Sequence, residues 1–130
     1  MNNPSDTNPN DPIIQANEVE TRPWGKFEVL SKNGTFKTKL ITIAPGQRLS
    51  LQSHMFRSEW WCVVQGRAAA TLDGRMYELE VGKTINIPPC KKHRIHNPGG
   101  VDLLLVEVQI GNCDENDIVR FEDDYGRSDV

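Results

Sequence analysis

The chain has 130 residues, of which 37% are hydrophobic and 25% charged, and its formal net charge is −3 at pH 7. This length fits a single domain, and the composition excludes a collagen-like, a coiled-coil or a wholly disordered chain. The acidic balance argues against nucleic acid as a partner. No apolar run approaches the length of about 18 residues that a membrane span needs.

Residues 1–21 are rich in Asn and Pro, and we predict that they form a flexible N-terminal arm. From Arg22 onward, short runs rich in Val, Ile, Thr and aromatic residues alternate with turn residues. The predicted strands are 26–30, 36–43, 48–53, 59–65, 68–72, 75–79, 84–87, 93–96 and 101–110, and a short helical turn is possible only at 115–121. This pattern indicates an all-β sandwich or barrel over residues 22–127.

The N-terminus and the cysteines indicate the cellular compartment. Residues 1–12 contain neither the basic segment nor the apolar segment of a signal peptide. Cys62, Cys90 and Cys113 are odd in number and show no paired spacing. We therefore predict a cytoplasmic protein with free thiols.

Four residues on three predicted segments carry donor atoms suited to a metal ion. Gln52 and His54 are two residues apart on one strand and share a face, Glu59 opens the next strand, and His93 follows a proline turn. If the fold brings them together, they offer one carboxylate, two imidazoles and one amide oxygen. Such a set suits one divalent ion, namely Zn²⁺, Mn²⁺ or Co²⁺. A single histidine in a strand is more often a hydrogen-bonded core residue, so the prediction of a metal site depends on the spacing of all four residues.

The spacing reads Gly46-x5-Gln52-x-His54-x4-Glu59-x6-Gly66, followed by Gly82-x5-Pro88-x4-His93-x3-Asn97. These two motifs resemble those of the cupin superfamily of jelly-roll β-barrels. Further matching segments are 22–25 (RPWG), 49–54 (LSLQSH), 57–66 (RSEWWCVVQG) and 117–127 (DIVRFEDDYGR). Together they resemble the type II phosphomannose isomerase domain, which is usually fused behind mannose-1-phosphate guanylyltransferase.

The resemblance implies a single-domain cupin barrel over residues 22–127, in which residues 113–127 form a C-terminal lid over the barrel mouth. It also implies a metal ion held by Gln52, His54, Glu59 and His93. The implied activity is the interconversion of mannose 6-phosphate and fructose 6-phosphate. The expected partner is thus a small sugar phosphate.

This isomerisation moves a proton between two carbons through an enediol and needs a base near that proton. Glu107 and Gln109 lie on one face of the last long predicted strand, among aliphatic neighbours. Burial there would raise the pKa of the Glu107 carboxyl, which suits a catalytic base, and Gln109 would contact the substrate. Glu59 is the rival catalytic residue, although a carboxylate that binds metal is a weaker base. An ion pair between Glu107 and a barrel arginine is the alternative.

The substrate phosphate requires cations, and arginine forks suit phosphate best. The arginines expected to bind substrate are Arg57, Arg94, Arg120 and Arg127. The resemblance favours Arg120 and Arg127, because the closing motif of the family carries both, and the acids around them are expected to face solvent. Ion pairs with Glu122, Asp123 or Asp124 are the alternative for either one.

Three positions depart from the pattern of the isomerase family, and Gln52 and Cys90 depart from the cupin motifs, which usually have His and Gly there. Trp60 replaces a usual histidine and, by strand parity, points away from Glu59, while Met55 and Phe56 stand where the family often has His. Cys90 replaces a usual glycine, and its thiol either occupies a turn or reaches the metal. The alternative functions are therefore a non-catalytic sugar-binding or regulatory cupin, or an isomerase of a different sugar phosphate. Trp60 and the apolar edge 101–110 should be covered by another subunit, so we expect a homodimer.

Overall fold

The structure is a computed structural model, and it describes residues 7–130. These residues form eleven strands and no helix, so the described part of the chain contains no helix that could cross a membrane. The strands are β1 (Ile14–Arg22), β2 (Gly25–Lys32), β3 (Phe36–Ile43), β4 (Leu51–Ser53), β5 (Arg57–Gln65), β6 (Ala68–Leu72), β7 (Arg75–Leu79), β8 (Thr84–Ile87), β9 (His93–His96), β10 (Leu103–Gly111) and β11 (Val119–Glu122).

Two antiparallel sheets enclose the core. The larger has the strand order β1-β2-β3-β10-β5-β8, and the smaller has the order β11-β4-β9-β6-β7. Ile43, Val63, Leu103 and Leu105 are fully buried between them. The neighbours in sequence are often not neighbours in a sheet, as the strand β10 between β3 and β5 illustrates. This arrangement confirms the predicted all-β jelly-roll barrel.

Strict alternation of burial along β5 and β10 decides which side chains face the interior. Glu59 and Trp61 on β5 point inward, as do Glu107 and Gln109 on β10, and Trp60 lies on the outer face, as strand parity predicts. The register of the two strands sets Glu107 opposite Trp61 and Gln109 opposite Glu59. These two cross-strand pairs therefore place two carboxyl groups, an amide and an indole in the barrel interior.

The N-terminal arm predicted over residues 1–21 is wrong for residues 14–21. These residues belong to β1, which pairs antiparallel with β2, whereas residues 1–6 lie outside the described part of the chain. β1 is an edge strand in which only Ala16 is buried. An edge strand exposed on both faces has no need of alternating apolar residues, so its sequence lacks the usual strand signal.

The C-terminal segment also differs from the expectation of a helical turn at 115–121. Its second half forms β11, whose residues Val119 and Arg120 pair with Ser53 and Gln52 of β4. Because β11 sits at the edge of the smaller sheet and is half-exposed, backbone pairing rather than apolar burial holds it in place. All three cysteines are free thiols, as predicted.

Candidate functional site

Three of the four predicted metal ligands meet inside the barrel. One ligand atom from each of His54, Glu59 and His93 lies within 4.8 Å of the other two, and all three side chains are buried. The Nε2 atom of His54 is 3.6 Å from Oε2 of Glu59, and the Nε2 atom of His93 is 3.4 Å from Oε1. The two imidazoles thus face the two oxygens of one carboxylate.

Backbone carbonyls fix the orientation of both imidazoles. The Nδ1 atom of His54 lies 2.7 Å from the carbonyl oxygen of Asp117, and the Nδ1 atom of His93 lies 2.9 Å from that of Lys91. A carbonyl oxygen only accepts hydrogen bonds, so each Nδ1 carries the proton and each Nε2 keeps its lone pair. Burial also lowers the pKa of His54 to about 4, which keeps this ring neutral near pH 7.

The lone pairs of the two Nε2 atoms and of the Glu59 carboxylate therefore face one another, and their chemistry shows whether the site suits a metal ion. Neutral Nε2 atoms and carboxylate oxygens are all acceptors, and they do not stabilise one another without a cation between them. The buried Nε2 of His93 has no hydrogen-bond partner among the described residues. A divalent ion would take these lone pairs, and the two Nδ1 contacts are the outer bonds that metal-binding histidines usually make. The three residues fit a metal ion.

Gln52 stands next to this cluster on β4. It pairs with His93 of β9 in the smaller sheet, is half-buried and lines the same cavity. Its side-chain amide donates only a long bond of 3.5 Å to the carbonyl oxygen of Ser50. The role of Gln52 as a fourth ligand stays a prediction.

Arg57 supplies the positive charge beside the cluster. Its Nε donates to Oε2 of Glu59 at 3.1 Å, its Nη2 donates to Nε2 of His54 at 3.2 Å, and its Nη1 donates to the carbonyl oxygen of Asp114. Burial disfavours the ionised form of Glu59, but the charge and the hydrogen bond of Arg57 favour it, and the pKa of Glu59 lies below its ordinary value. Arg57, predicted to bind substrate, lines the cavity but already has these three partners.

Glu107 lies in the same cavity, with 6% of its surface exposed. Burial, and secondarily the charge of Glu59, raise the pKa of its carboxyl to about 7. The Nε2 atom of Gln109 donates to Oε1 of Glu107 at 2.5 Å. Among the described residues Glu107 takes part in no ion pair, so the alternative of an arginine partner is not found.

Lys39 is a cavity residue that the sequence analysis missed. It lies on β3 opposite Glu107, is 5% exposed, and its Nζ is 2.8 Å from Oε1 of Glu115 and 4.2 Å from the ring centre of Phe27. Strand parity could have placed Lys39 inside the barrel, because it lies two residues from the buried Ile41 and shares its face. A lysine in an alternating strand is easily assigned to the solvent face instead.

The C-terminal segment forms part of the cavity wall through Glu115, Ile118, Arg120 and Arg127. Asp117 attaches it to the metal cluster. Its carboxylate accepts the backbone N–H groups of Met55 and Phe56, both at 2.9 Å, and its own carbonyl oxygen accepts from His54. Asp117 therefore holds both the C-terminal segment and the loop that follows His54.

The four predicted substrate arginines differ in how far they are already paired. Arg127 forms a two-pronged ion pair with Asp123, whose side chain is 0% exposed, so the expectation that this acid faces solvent is wrong. Arg94 donates to the carbonyl oxygen of Leu49 and lies 3.9 Å from Glu122. The guanidinium of Arg120 lines the cavity and has no partner within residues 7–130.

Cys90 has a backbone conformation that is typical of the glycine usually found at this position. Its φ of 68° lies in the left-handed region, and its backbone N–H donates to the carbonyl oxygen of His54 at 2.7 Å. The side chain is exposed and does not belong to the cluster of His54, Glu59 and His93. The turn position, rather than a metal-binding thiol, is what the structure shows.

Comparison with known families identifies the barrel. The family described as "Mannose-6-phosphate isomerase C-terminal" matches residues 10–123. The chain belongs to this family. The match covers all eleven strands of both sheets, and it includes every residue of the candidate site apart from Arg127.

Curated relatives of this isomerase C-terminal family are much longer than the chain. The "Alginate biosynthesis protein AlgA" of Pseudomonas putida is 44% identical over 108 residues, which are 82% of this chain and 22% of that protein. The "Mannose-1-phosphate guanylyltransferase" of Escherichia coli is 43% identical over 107 residues, with the same two coverages of 82% and 22%. The chain thus spans about a fifth of the length of the relatives it matches.

Solved structures agree on the fold. An RmlC-like cupin from Shewanella frigidimarina superposes with a TM-score of 0.69 at 23% identity, over 77% of this chain and 87% of that one. KdgF from a Halomonas species superposes with a TM-score of 0.70 at 15% identity, over 76% and 91%. These likenesses establish the cupin fold of the isomerase C-terminal domain and nothing about its substrate.

Proposed function

We propose that this chain is a metal-dependent isomerase that interconverts mannose 6-phosphate and fructose 6-phosphate. The observation that carries the proposal is the pairing of two features in one cavity. A metal-binding cluster of His54, Glu59 and His93 lies beside a buried carboxyl, Glu107, whose pKa is raised to about 7. Membership of the mannose-6-phosphate isomerase C-terminal family supports the same reaction.

The two carboxylates divide the chemistry between them. Glu59, held ionised beside Arg57, together with His54 and His93 would hold the divalent ion. When bound, such an ion supplies the Lewis acidity that stabilises negative charge on sugar oxygens. Glu107 would remove a proton from one sugar carbon and return it to the next, because a base with a pKa near 7 can both accept and release a proton at neutral pH.

The departures from the family pattern do not bear on this chemistry. Trp60 lies on the outer face of β5, and neither Met55 nor Phe56 lines the cavity. The alternative of a non-catalytic cupin rested on these three positions. Their location outside the cavity therefore favours the isomerase.

A coupled assay that detects fructose 6-phosphate tests the proposal. The protein is stripped with a chelator and reloaded with Zn²⁺, Mn²⁺ or Co²⁺, and mannose 6-phosphate is supplied. We expect turnover to be lost on stripping and restored by at least one of the three ions. Protein that holds one ion per chain by metal analysis, binds mannose 6-phosphate by calorimetry and forms no product would instead be a binding cupin.

Arg120 is the residue we expect to bind the substrate phosphate most directly. It is the cavity arginine with no partner within the described residues, whereas Arg127 is tied to Asp123. Replacing Arg120 with Ala should lower kcat/KM for mannose 6-phosphate by roughly 10- to 100-fold, the loss of a charge-assisted hydrogen bond worth about 1.5–3 kcal/mol. The matched variant Arg127→Ala should lose less, and metal affinity should be unchanged in both. Equal activity of Arg120→Ala and the parent would exclude this role.

A homodimer is the second part of the proposal. The outer face of the larger sheet sets Trp60 opposite Val108 and Cys62 opposite Val106, and all four side chains are half-buried. Covering such an apolar sheet face with the same face of a second copy would remove it from water. Sedimentation velocity at micromolar concentration should give a dimer, and Trp60→Glu should give a monomer. A monomeric parent protein at that concentration would contradict this expectation.

A further inference from the structure

Unpartnered polar atoms concentrate in the cavity. Within residues 7–130, four buried side-chain nitrogen or oxygen atoms have no hydrogen-bond partner, and the residues that carry them all line this one cavity. They are Oγ of Ser50, Nε1 of Trp61, Nε2 of His93 and Oε1 of Gln109. Nε2 of His93 points at the metal cluster, which leaves three atoms that the metal does not explain.

These three atoms cost the fold free energy. Ser50, Trp61 and Gln109 are 1%, 3% and 1% exposed, so water reaches none of them freely from outside. A buried polar group without a partner costs roughly 1–3 kcal/mol, and such groups are rare in folded proteins. Three in one cavity are therefore expected where a bound ligand, or ordered water that a ligand displaces, supplies the missing bonds.

The hydrogen-bonding character of the three atoms defines that ligand. An indole N–H only donates, an amide oxygen only accepts, and a serine hydroxyl does both. Nε2 of Gln109 donates to Glu107, which orients the amide and leaves its oxygen as the unpartnered atom. The indole of Trp61 is held edge-on against the ring of His93, with 5.6 Å between ring centres. A hydroxyl can meet a fixed donor and a fixed acceptor at once, so the hydroxyls of a sugar suit these atoms.

We propose that Ser50, Trp61 and Gln109 form a hydroxyl-recognition site that selects a polyhydroxylated ligand, with Ser50 and Trp61 as specificity-determining residues not otherwise assigned a role. This inference rests on the proposed function, because it deepens the choice of a sugar phosphate as ligand. Its three atoms are uncharged, unlike the arginines of the same cavity that would take the phosphate. This site would recognise the sugar hydroxyls, whereas Arg120 would bind the phosphate.

The test compares mannose 6-phosphate with inorganic phosphate, which has the charge but no sugar hydroxyls. Calorimetric titration of the metal-loaded parent should give tighter binding of mannose 6-phosphate. Ser50→Ala and Trp61→Phe should each reduce that preference by about 3- to 10-fold, the worth of one neutral hydrogen bond, with phosphate affinity unchanged. Ser58→Ala, on the outer face of β5, is the matched control and should leave the preference intact.

Thermal unfolding of the ligand-free protein separates recognition from structural support. Ser50→Ala removes a hydroxyl that bonds to nothing in the described chain, so its melting temperature should equal or exceed that of the parent. A lower melting temperature with an unchanged preference would overturn the proposal, as would a parent protein that binds mannose 6-phosphate no better than phosphate. If the parent protein shows no turnover, but Ser50→Ala and Trp61→Phe still reduce its preference for mannose 6-phosphate, the isomerase function is overturned and this site stands.

Discussion

Glu107→Gln should lower kcat for mannose 6-phosphate by two to four orders of magnitude, the usual contribution of a positioned base. The substitution keeps the size of the side chain and removes only its ability to take a proton. The Gln109 amide can still donate to the new carbonyl oxygen, so the cavity should keep its shape. Steady-state kinetics with the metal-loaded protein measures the loss, and an unchanged KM would place it in the chemical step.

The same substitution should change how stability depends on pH in the metal-stripped protein. The folded pKa of Glu107 is about 7, above the ordinary value of 4.5, so the folded state keeps a proton that the unfolded chain has released between these values. Stability therefore falls as pH rises through this window, and Glu107→Gln should remove a loss of about 3 kcal/mol between pH 4.5 and 7. Urea unfolding at pH 5 and pH 8 measures the difference.

Glu107 has a matched control in the same sheet. Glu28 on β2 lies in the same sheet and is half-buried, but it does not line the cavity. Glu28→Gln should change neither kcat nor the pH dependence of stability. If Glu107→Gln retains the parent rate, the base lies elsewhere and Glu59 becomes the candidate.

His93→Ala should lower the affinity for Co²⁺ by at least 100-fold, because it removes one of three converging ligands from a buried site. The visible absorption of Co²⁺ reports the loss without any assay of turnover. Turnover should fall in the same proportion as the metal occupancy.

His96→Ala is the control for this experiment. His96 lies on the same strand, β9, is half-buried and does not belong to the cluster. Its replacement should leave the Co²⁺ spectrum unchanged. A His93→Ala protein that binds Co²⁺ as tightly as the parent, with the same spectrum, would remove His93 from the metal site.

Local pattern predicted β3, β5 and β10 well because these long strands alternate buried and less buried residues. β5 and β10 show this alternation along nearly their whole length, so their facing followed from parity. β1 and β11 carry no such signal. Both are edge strands with few buried side chains, and their position depends on backbone pairing with β2 and β4. Pairing of that kind leaves little trace in the sequence of the strand itself.

The cluster of His54, Glu59 and His93 could be predicted because its spacing matches the cupin motifs, whereas the residues that contact it could not. The contact of Lys39 with Glu115 joins residues 76 positions apart, and that of His54 with Asp117 joins residues 63 apart. No local pattern reports such contacts, because they depend on how the C-terminal segment crosses the barrel. The Asp123–Arg127 pair is different, since its spacing of four is visible in the sequence and the ion pair was already the stated alternative.

Proton NMR of mannose 6-phosphate mixed with the Co²⁺- or Zn²⁺-loaded protein tests the isomerase function without a coupling enzyme, because it follows the substrate itself. The account predicts that signals of fructose 6-phosphate grow at the expense of mannose 6-phosphate until the two reach equilibrium. It also predicts that a chelator stops this conversion and that Glu107→Gln slows it at least 100-fold. A mannose 6-phosphate spectrum that stays unchanged over hours, with one metal ion bound per chain, would contradict the account.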